Sequence, residues 1–253
     1  MQAYNPGFAR LYNLRWGSFA QQFAPRIREL YESTTPGQVN RSLLDLCCGT
    51  GQLAVHFLEA GYRVVGLDSS EHMLAYAREN AAHFLTTGQA RFVQGDASDF
   101  ALEERFGLVV STYDALNHLP DEQALRRCFG CVFPLLEPGG LFVFDLNTRL
   151  GLRRWSGVDV DSGGDDCLLI NRGVYDGPGG KAWTQITGFI REDNGLYTRV
   201  EQTAFNTIYD LERVRNALLE CGWQSVYFAG GQDLHTPLPE PEQAPRVFVV
   251  ARK

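Results

Sequence analysis

Short runs of mostly apolar residues recur along the first 150 positions, and between them lie stretches in which apolar residues return every third or fourth place. The runs at 42–46, 64–67, 91–94, 108–112 and 141–145 are the length of strands, and their near-continuous apolar character suits a parallel sheet covered on both faces. The segments between them read as helices. Residues 51–60 put Leu53, Phe57 and Leu58 on one side and stop at Gly61, Ser70 is an N-cap for a helix over 71–82, and Asp121 caps the next. Strand and helix alternate, which predicts an α/β fold.

Past Asp145 the rhythm changes. Residues 168–176, 182–192 and 197–208 are rich in β-branched and aromatic side chains, and Asp-Gly-Pro-Gly-Gly and Glu-Asp-Asn-Gly turns separate them. They read as antiparallel strands inserted in the main domain. A helical period returns over 211–220, with Leu211, Val214, Leu218 and Leu219 apolar, and 223–228 and 246–251 read as two closing strands. No repeat, low-complexity tract or linker divides the chain. The expectation is one structural domain in three parts: a helical N-terminal segment and alternating core at 1–147, an antiparallel β insertion at 148–208, and a closing helix and strands at 209–253.

The candidate chemistry begins at the end of the first strand. Residues 43–51 read Leu-Leu-Asp-Leu-Cys-Cys-Gly-Thr-Gly, in which Gly49 and Gly51 let the backbone turn tightly and approach a ligand. Asp68 ends the second apolar run 17 residues after Gly51, close to the spacing at which a carboxylate in a βαβ unit bonds ribose hydroxyls. Together these features predict a site for an adenosine-bearing ligand. The nicotinamide fingerprint fits poorly, since Cys47 stands where the first glycine would fall and no glycine follows Gly51 through Val55, four residues on, and no Gly-Lys-Ser or Gly-Lys-Thr follows to meet phosphates.

The nine residues resemble the first motif of the class I S-adenosylmethionine-dependent methyltransferases of the small-molecule type, Asp-x-Gly-x-Gly-x-Gly, with Asp45, Gly49 and Gly51 in place and Cys47 replacing the first glycine. Three further stretches match in order: Asp68 the ribose carboxylate, Gln94-Gly-Asp-Ala97 the adenine-binding turn, and Leu135-Leu-Glu-Pro-Gly-Gly140 the turn before the fifth strand. The resemblance implies a Rossmann-like, seven-stranded, mostly parallel sheet with helices on both faces, and an antiparallel β insertion after strand five. It implies S-adenosylmethionine as cofactor and S-adenosylhomocysteine as product. It also assigns parts. The cofactor's carboxylate and amino groups would sit by the loop of Asp45, Cys47, Gly49 and Gly51, where the helix N-terminus favours an anion. Asp68 and Ser69 would face the ribose, Asp96 and Ala97 the adenine edge, and Met73 an adenine face. Thr112, at the end of strand four, would contact the cofactor.

Strand four runs into Ser111-Thr-Tyr-Asp-Ala-Leu-Asn-His118, at the edge where the reactive methyl would point. Asp114 and His118 are candidate proton acceptors and Tyr113 a pocket wall; the plainer alternative is that Asp114 bonds loop amides while Asn117 and His118 only precede a helix. The segment 4–31 resembles the helical lid of small-molecule methyltransferases. There Tyr12 would bond the cofactor carboxylate and Trp16 would face the sulfonium, since cations favour aromatic faces. The insertion is expected either to cover the acceptor or to make a dimer contact.

Composition narrows the function. The 253 residues are 44% hydrophobic with a formal charge of −7, and no Lys/Arg run offers a surface for phosphates, which disfavours a nucleic-acid partner. No apolar stretch reaches the ~20 residues of a membrane span, and the first residues lack the basic start and apolar core of a signal peptide. The expectation is a cytoplasmic enzyme, monomer or homodimer, with its six cysteines reduced. Cys128 and Cys131 have Cys-x-x-Cys spacing without a second ligand pair, and ordinary helix packing is expected for them, with no metal. The reading is methyl transfer by in-line displacement to nitrogen or oxygen of a small molecule. Its rivals are a nicotinamide-dependent oxidoreductase and a non-catalytic cofactor-binding module.

Overall fold

A computed structural model describes residues 4–161 and 166–253; residues 162–165, within the expected insertion, lie outside it. Three helices open the chain: α1 (Pro6–Arg15), α2 (Ser18–Glu32) and α3 (Thr35–Val39). The alternating core follows as β1 (Ser42–Leu46), α4 (Gln52–Glu59), β2 (Arg63–Asp68), α5 (Glu71–Asn80), α6 (Ala82–Thr86), β3 (Ala90–Gln94), β4 (Phe106–Ser111), α7 (Glu122–Leu135) and β5 (Leu136–Asn147). After α8 (Arg149–Arg153) come β6 (Gly157–Asp161), β7 (Cys167–Asp176), β8 (Lys181–Arg191) and β9 (Tyr197–Thr207). The chain ends with α9 (Leu211–Glu220), β10 (Ser225–Gly230), β11 (Asp233–Pro237) and β12 (Arg246–Arg252).

The main sheet has the order β3-β2-β1-β4-β5-β12-β10-β11. β3, β2, β1, β4 and β5 are parallel, and β12 is antiparallel to both its neighbours. Alternate residues of the central strands feed two cores. Leu44, Leu46, Val109, Phe142 and Phe144 pack with α7 and α9 on one face, while Leu43, Leu108, Val110 and Val143 pack with α2, α4 and α5 on the other. Both faces are apolar because both are covered. The predicted caps form as local chemistry requires: the Ser70 hydroxyl accepts from the Met73 amide, and the Asp121 carboxylate accepts from the Ala124 amide.

Two edges differ from the expectation. The main sheet has an eighth strand, β11, paired with β10; in Asp-Leu-His-Thr-Pro only Leu234 is buried, so there is no alternation to read. Among the described residues the insertion has four antiparallel strands, not three. Its added strand β6 is exposed along its whole length, which removes the burial period that betrays a strand. A third apolar cluster joins Phe8, Ala9 and Leu11 of α1 to Leu169, Ile186, Ile190 and Val200 of the insertion and to Met73 of α5. The lid therefore packs on the insertion and the core at once. No helix among the described residues is long and apolar enough to cross a membrane.

Candidate active site

A cavity of about 660 Å³ opens where the carboxyl ends of β1, β2 and β4 face α1 and the inner side of the insertion. That is the edge of an open α/β sheet at which ligands bind, and the volume suits a small-molecule site. Cys47, Gly49, Asp68, Ser69, Met73 and Thr112 line its core side, and Tyr12 and Trp16 line it from the lid. Tyr113, Asp114 and His118 form its floor.

The loop after β1 is tied down from β2. The amide of Cys48 donates to the Leu67 carbonyl at 3.0 Å, and that of Gly49 to Asp68 Oδ2 at 2.9 Å. Asp68 Oδ1 accepts from the Ser70 amide at 2.9 Å. Burial pushes the Asp68 carboxyl up, and these amides oppose the push. Gly49 has φ +54°, and a Cβ there would stand 3.6 Å from the Tyr12 ring, so the missing side chain leaves room in the cavity. Cys47 shares the left-handed conformation at φ 62°, which explains why glycine suits that position. Asp45 lies beneath the loop, buried and outside the cavity lining. The Ala54 amide of α4 donates to its carboxylate, while its Oδ2 has no partner.

The turn after β4 holds two consecutive left-handed residues, Tyr113 at φ 64° and Asp114 at φ 50°. Their amides donate to the fully buried Asp145, at 2.6 Å to Oδ1 and 2.9 Å to Oδ2. Arg246, at the start of β12, pairs with both carboxylates, reaching Asp114 Oδ1 at 2.7 Å and Asp145 Oδ2 through its other arm. Its guanidinium lies over the rings of Phe19 and Tyr113, which stack on each other. His118 Nδ1 lies 2.6 Å from the Phe205 carbonyl. A carbonyl only accepts, so Nδ1 carries the proton and Nε2 of the neutral ring is left as an acceptor. Nε2 lies 3.4 Å from the Tyr4 hydroxyl. Burial pushes the imidazole pKa down, against the pull of Asp114 and the Phe205 carbonyl, which keeps the ring neutral at neutral pH.

The insertion contributes Asn171, Thr184, Ile186, Ala204 and Asn206 to the lining, with Arg154 and Trp155 on the segment leading into it. Thr184 Oγ1 is buried without a protein partner. Asn171, Thr184 and Asn206 give this wall neutral polar groups, and Arg154 and Asp159 add one charge of each sign.

The chain matches the methyltransferase domain family over residues 43–140, the stretch from β1 to the start of β5 that carries the loop and Asp68. A Geobacillus sp. (strain WCH70) protein described as a methyltransferase is 28% identical over 214 residues, 84% of this chain and 85% of that one. The family match and this relative support a class I S-adenosylmethionine-dependent methyltransferase. Another methyltransferase, dTDP-3-amino-3,4,6-trideoxy-α-D-glucopyranose N,N-dimethyltransferase of Streptomyces venezuelae, is 32% identical over 145 residues, 56% of this chain and 58% of that protein. In fold, a crystal structure of an S-adenosylmethionine-dependent methyltransferase from Clostridium acetobutylicum ATCC 824 aligns with a TM-score of 0.79 at 20% identity, over 97% of each chain.

Most residues expected at the methyltransferase site do converge on the cavity, but four do not line it: Asp45, Gly51, Asp96 and Ala97. Gly51 is the turn residue that starts α4 at φ +81°. Asp96 Oδ1 accepts from the amide and hydroxyl of Ser98, and Ala97 is buried in the core beneath the turn. Asp68 bonds loop amides and also lines the cavity. Asn117 does more than precede a helix: its amide group bonds the Asn147 and Thr207 backbones, tying β5 to β9. The sequence reading did not single out Tyr4 and Arg246, which line the cavity, or Asp145, which holds the turn of Tyr113 and Asp114. A visible signal was Arg246 itself, a charge at the head of the apolar run Val-Phe-Val-Val.

Proposed function

We propose that this methyltransferase acts on an amine nitrogen of a small, hydroxylated acceptor, with His118 receiving the amine's proton. The observation that carries the reading is the His118 tautomer, with Nδ1 spent on the Phe205 carbonyl and Nε2 left as an acceptor in a cavity also lined by Asn171, Thr184 and Asn206. An alkylamine is protonated at neutral pH and has no lone pair to give. A neutral imidazole beside it is suited to take the proton, a contribution of roughly 10²–10⁴-fold. The neutral polar groups of Asn171, Thr184 and Asn206 match hydroxyl groups, and the orphaned Thr184 Oγ1 is a ready partner for one. The amino-sugar substrate in the name of the Streptomyces venezuelae relative agrees with this class.

The residues present fit the cofactor. Asp68 would hold the ribose hydroxyls through its unused lone pairs, Gly49 leaves space for the methionine part, and Tyr12 and Trp16 offer aromatic faces to a sulfonium. When bound, S-adenosylmethionine supplies a methyl group that is already electrophilic. The chain's own work is positioning: the lid and the insertion wall hold the acceptor nitrogen in line, exclude water, and set His118 behind the departing proton. Asp114 takes no proton in this reading, since Arg246 holds its carboxylate. Replacing His118 with Gln is expected to cut turnover by about two orders of magnitude while leaving S-adenosylmethionine affinity unchanged in calorimetry. Unchanged turnover would reject the role.

The reading carries two further parts. The enzyme works in the cytoplasm without nucleic acid, in keeping with its charge of −7 and six free cysteines. It works as a homodimer through the outward face of the insertion, where Val158, Val160, Val174 and Trp183 are exposed side by side on three strands. Four strands of this length offer on the order of 800 Å² per partner, the size of a stable interface.

A further inference from the structure

Asp114 stands between a cation and the imidazole. Arg246 Nη2 holds its Oδ1 at 2.7 Å, while its Oδ2 lies 3.8 Å from His118 Nε2, beyond hydrogen-bond reach. The cation is itself fixed. Its other arm is bound to Asp145, and its plane lies 5.0 Å from the ring centre of Phe19 and 5.6 Å from that of Tyr113. Asp145 also accepts from the Asp114 amide, so this aspartate is gripped by backbone and side chain alike.

We infer that Arg246 is a positioning residue that holds the Asp114 carboxylate away from His118 and so preserves the Nε2 lone pair for the acceptor's proton. The inference rests on the reading of His118 as proton acceptor. Three elements put polar groups against this imidazole: the Tyr4 hydroxyl from the lid, the Phe205 carbonyl from β9, and Asp114 from the turn beside it. Burial pushes the Tyr4 phenol far up, so it stays neutral, and Asp114 is the charged member of the three. Released from Arg246, its carboxylate would need to move less than an ångström to bond Nε2. Inside a site of low polarity such a pair stabilises the imidazolium strongly. A protonated His118 can accept nothing.

The test is a ¹H–¹⁵N titration of the imidazole resonances in the full-length protein, with His118 assigned through His118→Gln. In Arg246→Gln, His118 is expected to titrate about one pH unit or more above wild type, a roughly tenfold loss of neutral imidazole below that point. In Arg246→Gln/Asp114→Asn it is expected to return to the wild-type value or below, because the offending carboxylate is gone. Should Arg246→Gln not fold, Arg246→Lys keeps a charge by Asp145 but gives up the fork onto Asp114, and it too is expected to raise the titration. An unchanged His118 titration in whichever folded variant is read would overturn the inference and leave Arg246 a structural ion-pair residue. The readout needs no acceptor. Failure of the underlying reading is seen separately, as retained turnover in His118→Gln.

Discussion

Single carboxylates under the β1 loop carry opposing duties. Asp45 caps the start of α4 through the Ala54 amide, yet its other oxygen is buried without a partner, and burial together with the nearby Asp68 charge pushes its carboxyl up to about 7. A carboxyl whose folded value lies above its unfolded value of about 4 contributes most stability below that value and loses the contribution as pH rises toward the folded value. Wild-type protein is therefore expected to lose stability relative to Asp45→Asn between about pH 4 and 7, with no further change above. Thermal unfolding of both across that range checks it. An equal gap in melting temperature at pH 5 and pH 8 would show that Asp45 does not titrate there. The residue also shows what a motif hides, since its spacing from Gly49 is legible while its lack of a partner depends on packing.

At the scale of elements, the join between the loop and α4 depends on a residue without a side chain. A Cβ on Gly51 would meet Cβ and Cα of Ala77 in α5 at 3.0 and 3.1 Å, and its φ of +81° is disfavoured for any other residue. Gly51→Ala is expected to destabilise the fold by about 2 kcal/mol, from the left-handed backbone and the contact with α5 together. An unshifted denaturation midpoint would contradict this. Local signals of this kind explain what the sequence made legible. The caps at Ser70 and Asp121, the glycine loop and Asp68 all act within a few residues or one βα unit, and β1 and β4 announce themselves because every residue in them is buried. What escaped was set at long range or lacked a burial pattern. Arg246 meets Asp114 from 132 residues away, His118 meets Phe205 from 87, and β6 and β11 bury too little to show a period. The expected adenine turn shows the converse, for Asp96 and Ala97 were legible as a motif but stand outside the cavity lining.

The whole molecule places its cavity between a core, a lid and an insertion, and the lid shares one apolar cluster with the other two. Anything that loosens α1 from the insertion loosens the cavity wall as well. The insertion's inner face lines this cavity, which leaves its outer face for self-association. Light scattering is expected to give twice the 28.3 kDa chain mass, and Trp183→Asp to shift it toward the monomer; a monomer in the wild type at micromolar concentration would remove that part of the reading. The central claim is that this cavity holds S-adenosylmethionine with Asp68 on its ribose. Its most direct test is calorimetric titration of wild-type and Asp68→Ala protein with S-adenosylmethionine, S-adenosylhomocysteine and NAD. The account predicts micromolar binding of the first two and none of NAD, with a loss of about 30- to 100-fold in the folded variant for one charge-assisted hydrogen-bond pair. NAD binding, or equal cofactor affinity in Asp68→Ala, would contradict it.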